Sequence, residues 1–324
     1  MRWVPFLFFV GLASAQQAEV KLVTGSLPPP AGIKFEVIRV RPNVYMLANS
    51  VSNVVVQVGN QANNDGILIV DSGNGQFTDR ILAEAKRLSE KPIRYVINTN
   101  GDPDHTGGNA ALAKAGRPLA SFSSGSLGAE SAIITAQENV LFRMSAKNAP
   151  NPLPFAAWPG LTYGDGRDFY FNSEPIQLFH APGHTDGDSI VFFRNSNVIA
   201  AGDNFVTTGF PVIDLTRGGS IAGVLKALNK LIELAIPADN EEGGTMIIPG
   251  HGRLCDEADV SDYRDMITII HDRVADGIKK GKTLAQIQEA KLTLDYEYRY
   301  SRPEWTGAMF VEAIHKSLTA GKKQ

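Results

Sequence analysis

The sequence predicts a mixed α/β protein in which two β-sheets pack face to face with helices on the outside. Three observations predict it. Strand-like runs followed by helix-like runs occur twice, first from about residue 35 and again from about residue 168. The opening strands are joined by tight turns, of which Asn63-Asn-Asp-Gly66 is the strongest hairpin signal. The 324 residues are 43% hydrophobic and 20% charged, a globular composition long enough for one large domain or two small ones. A doubly wound parallel sheet fits this order less well.

The elements follow in order. Residues 1–12 carry one positive charge and a short apolar run, and Ala13-Ser-Ala15 follows. This reads as a secretory signal peptide cut after Ala15, which implies a secreted or periplasmic protein. The run is too short to span a bilayer comfortably, and no later stretch approaches the roughly 20 apolar residues a membrane helix needs. Residues 16–32, with Pro28-Pro-Pro30, form a loose leader, and 33–324 a single domain. Residues 35–46 alternate apolar and polar, and 54–58 and 67–70 continue an antiparallel run. Residues 77–88 place Ile81, Leu82, Ala85 and Leu88 on one helical face. A strand at 95–97, a helix at 109–115 and a strand at 119–122 come next, and 127–145 has helical spacing. Residues 146–166, rich in proline and carrying Phe155, Trp158 and Tyr163, read as an irregular lid or cleft wall. Strands are expected at 168–171, 176–180, 189–193 and 197–201, a helix at 221–234 and a strand at 246–248. A helix over 261–280 buries Tyr263, Met266, Ile267, Ile270, Val274 and Ile278. Thr283 and Gln286 form a capping box, and an amphipathic helix over 303–318 closes the chain.

Net charge is -3, from 31 basic and 34 acidic residues, so no basic excess points to nucleic acid. The one cysteine, Cys255, cannot form an internal disulfide and is expected as a small buried side chain.

Chemistry gathers at four places where a strand runs into small and polar residues. They are Asn100-Gly-Asp-Pro-Asp-His105, the His184 loop Pro182-Gly-His-Thr, Asp203 in Ala201-Gly-Asp-Asn204, and His251 in Pro249-Gly-His-Gly252. Each alone reads as an ordinary turn. Four together bring carboxylates and imidazoles, both good metal donors, to strand ends, where ligand-binding residues are commonly carried. An extended loop at 100–105 lets its alternating polar residues share one side.

At these motifs the chain resembles the metallo-β-lactamase-fold superfamily of metallohydrolases, over roughly residues 35–255. The resemblance rests on Asp104-His-Thr-Gly-Gly108, Gly183-His-Thr185 and Pro249-Gly-His-Gly252 in order. It implies a four-layer αβ/βα sandwich. It implies one metal site from Asp104, His105 and His251, with Asp203 shared, and another from residues 100, 102 and 184. The family's first two histidines are here Asn100 and Asp102, so the second of these sites is altered. The implied activity is hydrolysis of an ester, thioester, lactone, lactam or phosphoester by an activated water. The cofactor is one or two zinc ions, with iron or manganese suited to the oxygen-rich altered site. Asp104 is expected as ligand and orienter of the water, Asp102 as extra ligand or base, and His184 as ligand or oxyanion donor. Asp71 is expected to support the ligand loop or to cap its strand. Phe155, Trp158, Phe205 and Phe210 point to a partly apolar cleft for a small-molecule substrate. A di-iron redox protein and a non-catalytic binding protein on the same fold are the alternatives.

Overall fold

The opening third folds as the alternation requires. Strands β1 (Glu36–Arg41), β2 (Val44–Ala48), β3 (Asn53–Val58) and β4 (Ile67–Val70) pair antiparallel in sequence order. The computed structural model describes residues 35–49, 51–60, 63–119, 130–147, 152–240 and 243–320. The signal peptide and leader expected over 1–32 lie outside the described residues, as does most of the strand expected at 119–122.

Strands β5 (Ile93–Ile97), β6 (Ile133–Gln137) and β7 (Leu161–Tyr163) extend this sheet in parallel, giving seven strands in sequence order. Parallel neighbours need crossovers. Helix α1 (Thr78–Leu88) makes the first and α3 (Asn109–Ala115) lies on the second. Strands β8 (Gly166–Phe171), β9 (Glu174–His180), β10 (Ser189–Phe193), β11 (Val198–Val206) and β12 (Met246–His251) form the second sheet. Its pairs are antiparallel except β11 with β12, which α5 (Ile221–Leu234) connects in parallel.

Three apolar layers hold the sheets. Between them, Met46, Val55, Leu68 and Ile97 meet Phe171, Leu178, Val191 and Phe193. Ile81 and Ala85 of α1 and Leu112 of α3 cover the outer face of the first sheet. On the second, α5, α6 (Glu257–Lys279) and α9 (Gly307–Thr319) bury Leu228, Tyr263, Ile267 and Phe310. Strand β3, covered on both faces, is buried at every position, as expected of an interior strand. Helix α7 (Leu284–Glu289) starts at a capping box in which Thr283 and Gln286 satisfy each other's backbone N–H. Cys255 is buried, on a bridge with Ile247.

Four expectations are corrected. Within 127–145, residues 133–137 form β6, because pairing with β5 supplies backbone partners that outweigh the helical spacing. Among the described residues of this stretch only Glu138–Met144 is helical (α4), with the Gln137 side chain as its cap. Residues 161–163 in the expected lid are β7, a strand of the first sheet. Phe205 and Phe210 line no cleft. Both are buried under the helices, where Phe205 meets Tyr263 edge-on and Phe210 stacks on Phe310. Finally, β11 runs past Asp203 and β12 ends on His251, so these residues sit on strands rather than in loops beyond them. Gly202, at φ 55°, breaks the β11 register and packs so tightly on Thr99 that an added Cβ would lie 2.7 Å from its Cβ.

Phe193 is fully buried between the sheets. Phe193→Ala is expected to cost about 3–5 kcal/mol of stability, read by urea denaturation, and a loss near zero would contradict the two-sheet core.

Candidate metal centre

The sequence from 100 to 105 is not an extended loop. Pro103 fixes the first position of a one-turn helix, α2 (Pro103–Thr106), whose N-cap is Asp102. The Asp102 carbonyl accepts from the backbone N–H groups of His105 and Thr106, each at 2.9 Å. The turn separates two neighbours in the sequence. His105 is fully buried with Nδ1 2.8 Å from Asp71 Oδ2, while Asp104 faces His251, with Oδ2 3.5 Å from Nε2.

Asp71 anchors this arrangement from the end of β4. Its backbone is left-handed, at φ 61°, which an aspartate tolerates better than most residues. Its carboxylate accepts from Thr99 N at 2.8 Å and Thr99 Oγ1 at 2.7 Å as well as facing His105. With a metal bound, the Asp71 contact would keep the His105 proton on Nδ1 and leave Nε2 free to face the ion. Ser72 N and Asn98 Nδ2 donate to the His105 carbonyl and fix the loop from behind.

Two groups of ligand atoms result, each with its members within 4.8 Å of one another: Asp104, His105 and His251, and Asp102, His184 and Asp203. Asp203 joins them. Its Oδ2 lies 3.2 Å from His105 Nε2 and 3.9 Å from His184 Nε2, and its Oδ1 lies 3.1 Å from His251 Nε2. Asn100 belongs to neither group. Its Oδ1 accepts from Asp102 N at 2.8 Å and its Nδ2 donates to Asp203 Oδ2 at 3.1 Å.

The donors of the first group fit a divalent cation. His105 Nε2 and Asp203 Oδ1 are buried without a hydrogen-bond partner among the described residues. A ring nitrogen facing carboxylate oxygens out of water requires a positive charge between them, either a proton or a metal ion. Two imidazoles with carboxylates are a common donor set for zinc and related ions.

Protons and such an ion compete for these atoms. Burial alone would depress the imidazoles, but the surrounding carboxylates outweigh it. His251 is raised chiefly by Asp203, and His184 is pushed up to about 10 by Asp102. Burial lifts the Asp104 carboxyl above its ordinary value, against the pull of His105 and His251. At Asp203 the same burial is overcome by His105 and His251, which hold it well below the usual range.

The second group contains a residue that the motifs did not reveal. Arg217, on a 3₁₀ turn after β11, pairs its guanidinium with Asp102 Oδ1 and, through Nε, with Asp214 Oδ2 at 2.6 Å. The other Asp102 oxygen meets His184 Nε2 at 3.0 Å. Burial would raise the Asp102 carboxyl, yet His184 and Arg217 together hold it well below the ordinary carboxylate range. Both oxygens are engaged, so the expected role of Asp102 as a base loses support. His184 Nδ1 lies 2.9 Å from the Val212 carbonyl. Its loop is shaped by buried Asp188, which accepts from Gly183 N, Thr185 N and Thr185 Oγ1. The signal for Arg217 in the sequence was Asp214-Leu-Thr-Arg217-Gly-Gly, a charged pair in a glycine turn just after a ligand-bearing strand.

A sequence profile of the metallo-β-lactamase superfamily matches residues 48–251, well over half of the chain. The chain belongs to the metallo-β-lactamase superfamily. A linear primary-alkylsulfatase of a Pseudomonas species is 25% identical over 262 residues, covering 69% of this chain and 48% of the relative. The chain therefore spans about half the length of the curated relative it matches. Among solved structures, the stereoselective inverting sec-alkylsulfatase Pisa1 from Pseudomonas sp. aligns with a TM-score of 0.63 at 14% identity, over 87% of this chain and 50% of that one. A metallo-β-lactamase from Pontibacter korlensis aligns with a TM-score of 0.54 at 14% identity, over 72% of this chain and 99% of its own. These structural likenesses establish the fold. The superfamily fold implies a divalent metal, and the two groups are where its ligands would come from.

Two measurements test the centre. Asp71→Asn keeps a residue that accepts the left-handed backbone but removes the charge behind His105. It is expected to weaken zinc binding about 10–100-fold by competition with a chelator, and unchanged affinity would contradict the anchoring role. Because the imidazoles are raised, metal binding must displace protons. Apparent zinc affinity should rise from pH 6 to pH 8 with proton release in calorimetry, and a pH-independent affinity would contradict it.

Proposed function

We propose that this protein is a metal-dependent hydrolase that uses an activated water to cleave an ester, thioester, lactone, lactam, phosphoester or sulfate ester. The observation that carries the reading is the fully buried His105 Nε2, which faces Asp203 at 3.2 Å beside Asp104 and His251. A divalent ion bound there supplies a Lewis acid and lowers the pKa of water. The chain's own groups do the rest. His105, His251 and Asp104 hold the ion, and Asp203 closes the set from β11. Asp104, at the open side next to His251, orients the attacking water. His251 is a quarter exposed in its side chain, the most accessible of the six ligand-group residues, so substrate approaches from its side. His184 stands across Asp203 with Nδ1 on the Val212 carbonyl and Nε2 on Asp102, so its part is to hold Asp102 in place rather than to donate to substrate.

Alkyl sulfate esters are the first substrate class to test. The support is the curated relative and the Pisa1 structure, both alkylsulfatases, the latter aligned over 87% of this chain. β-Lactams are the second class, because the chain covers 99% of the Pontibacter metallo-β-lactamase but only half of the sulfatases. Fold alone does not choose between them.

The full-length protein, loaded with zinc, is assayed against alkyl sulfate, carboxylic ester, lactone, thioester, phosphoester and β-lactam substrates. At least one class should be hydrolysed, and His251→Ala and Asp104→Ala should each reduce that activity to background. Activity that survives both substitutions would refute the site. A pair of irons without hydrolysis would favour a redox protein, and a folded chain without metal a binding protein.

A further inference from the structure

We propose that Arg217 takes the place of the second metal ion, so that the centre holds one divalent cation and one built-in guanidinium. This rests on the metal-dependent reading above and concerns the second ligand group alone.

Three observations point the same way. First, the donors of that group are already engaged. Arg217 holds Asp102 Oδ1, His184 Nε2 meets Asp102 Oδ2, and the Asn100 amide oxygen is bound to a backbone N–H. A guanidinium carries hydrogen-bond donors in a fixed fork and no lone pair to offer a metal. It therefore competes with a cation for Asp102 rather than helping to bind one, and it repels a dication placed beside it.

Second, Arg217 is fixed at both ends. Its Nε is held by Asp214, whose other oxygen accepts from Thr216 N and Arg217 N and so shapes the turn. Its carbonyl accepts from Asp186 N at 2.9 Å and from the Arg143 guanidinium at 2.8 Å. Asp214 N donates to the His184 carbonyl, so the turn is laced to the loop that carries His184. Gly218, at φ 78°, leaves no room for a side chain against Asp186 and closes the turn directly after the arginine. Displacing Arg217 for an incoming ion would break this set of bonds together.

Third, the charges balance. Three carboxylates, Asp102, Asp104 and Asp203, make up the acidic part of the two groups. One divalent ion and one guanidinium supply three positive charges against them, and His184, whose two ring nitrogens both face acceptors, supplies a fourth against Asp214, the other partner of Arg217. A second divalent ion beside Arg217 would leave the buried cluster positive. The replacement of the family's histidine by Asp102 and the presence of Arg217 are thus two halves of one change: an imidazole ligand cannot pair with a guanidinium, and a carboxylate can.

The test counts metal and needs no substrate. Full-length protein is equilibrated with excess zinc, desalted, and its zinc measured by mass spectrometry against protein from amino-acid analysis. The expected result is one zinc per chain for wild type, one for R217K, and two for a folded R217A. Two zinc ions in wild type, or one in folded R217A, overturns the inference while leaving the hydrolase reading in place. No zinc in wild type overturns both. Where R217A does not fold, R217Q, which keeps much of the side-chain bulk without the charge, takes its place with the same expected count of two, and one zinc in folded R217Q overturns the inference.

Discussion

Everything at the candidate metal centre depends on keeping carboxylates charged where water is scarce. Asp102, Asp104 and Asp203 are mostly or wholly out of solvent within one small volume. Like charges so close in a low-dielectric setting repel strongly unless cations lie among them. Imidazoles from three separate segments, one arginine and a set of donor atoms close enough to share a divalent ion are the means the chain provides. The folding of the loops around the site follows from that requirement. Asp71 accepts a left-handed backbone, Pro103 starts a one-turn helix, and Gly202 bulges a strand, each placing one ligand.

The two sheets convert distant sequence into this cluster. β4 and β5 end side by side and deliver Asp71 and the 98–105 segment from the first sheet. β11 and β12, parallel neighbours in the second, deliver Asp203 and His251. The inter-sheet layer of Phe171, Phe193 and Leu178 fixes how these ends face each other. The site is therefore only as well defined as that apolar layer, which links core packing directly to ligand geometry.

Much of this was legible in the sequence, and the reasons differ by element. Helix α5 shows its apolar stripe and a Ser220 cap, so its limits of 221–234 could be read outright. The six acidic and histidine residues that the fold gathers were legible because His, Asp and Gly recur in one order. What was not legible came from long-range pairing. Ile133 and Ile134 have helical spacing with their neighbours, yet β5 recruits them into a sheet, a contact that no local pattern contains. Phe205 and Phe210 read as cleft aromatics, while α6 and α9 bury them. Arg217 was missed for a similar reason. A basic residue on a glycine turn is ordinary until the fold sets it against Asp102, which lies over a hundred positions earlier.

The central claim is that the buried carboxylate–imidazole cluster around Asp203 is built for a divalent metal. Anomalous diffraction from crystals of the zinc-loaded protein, recorded on both sides of the zinc edge, tests it most directly. The account predicts a peak about 2.0–2.1 Å from both His105 Nε2 and His251 Nε2 and within reach of an Asp104 oxygen. A zinc peak elsewhere, or none with His105 and His251 ordered in place, would contradict it.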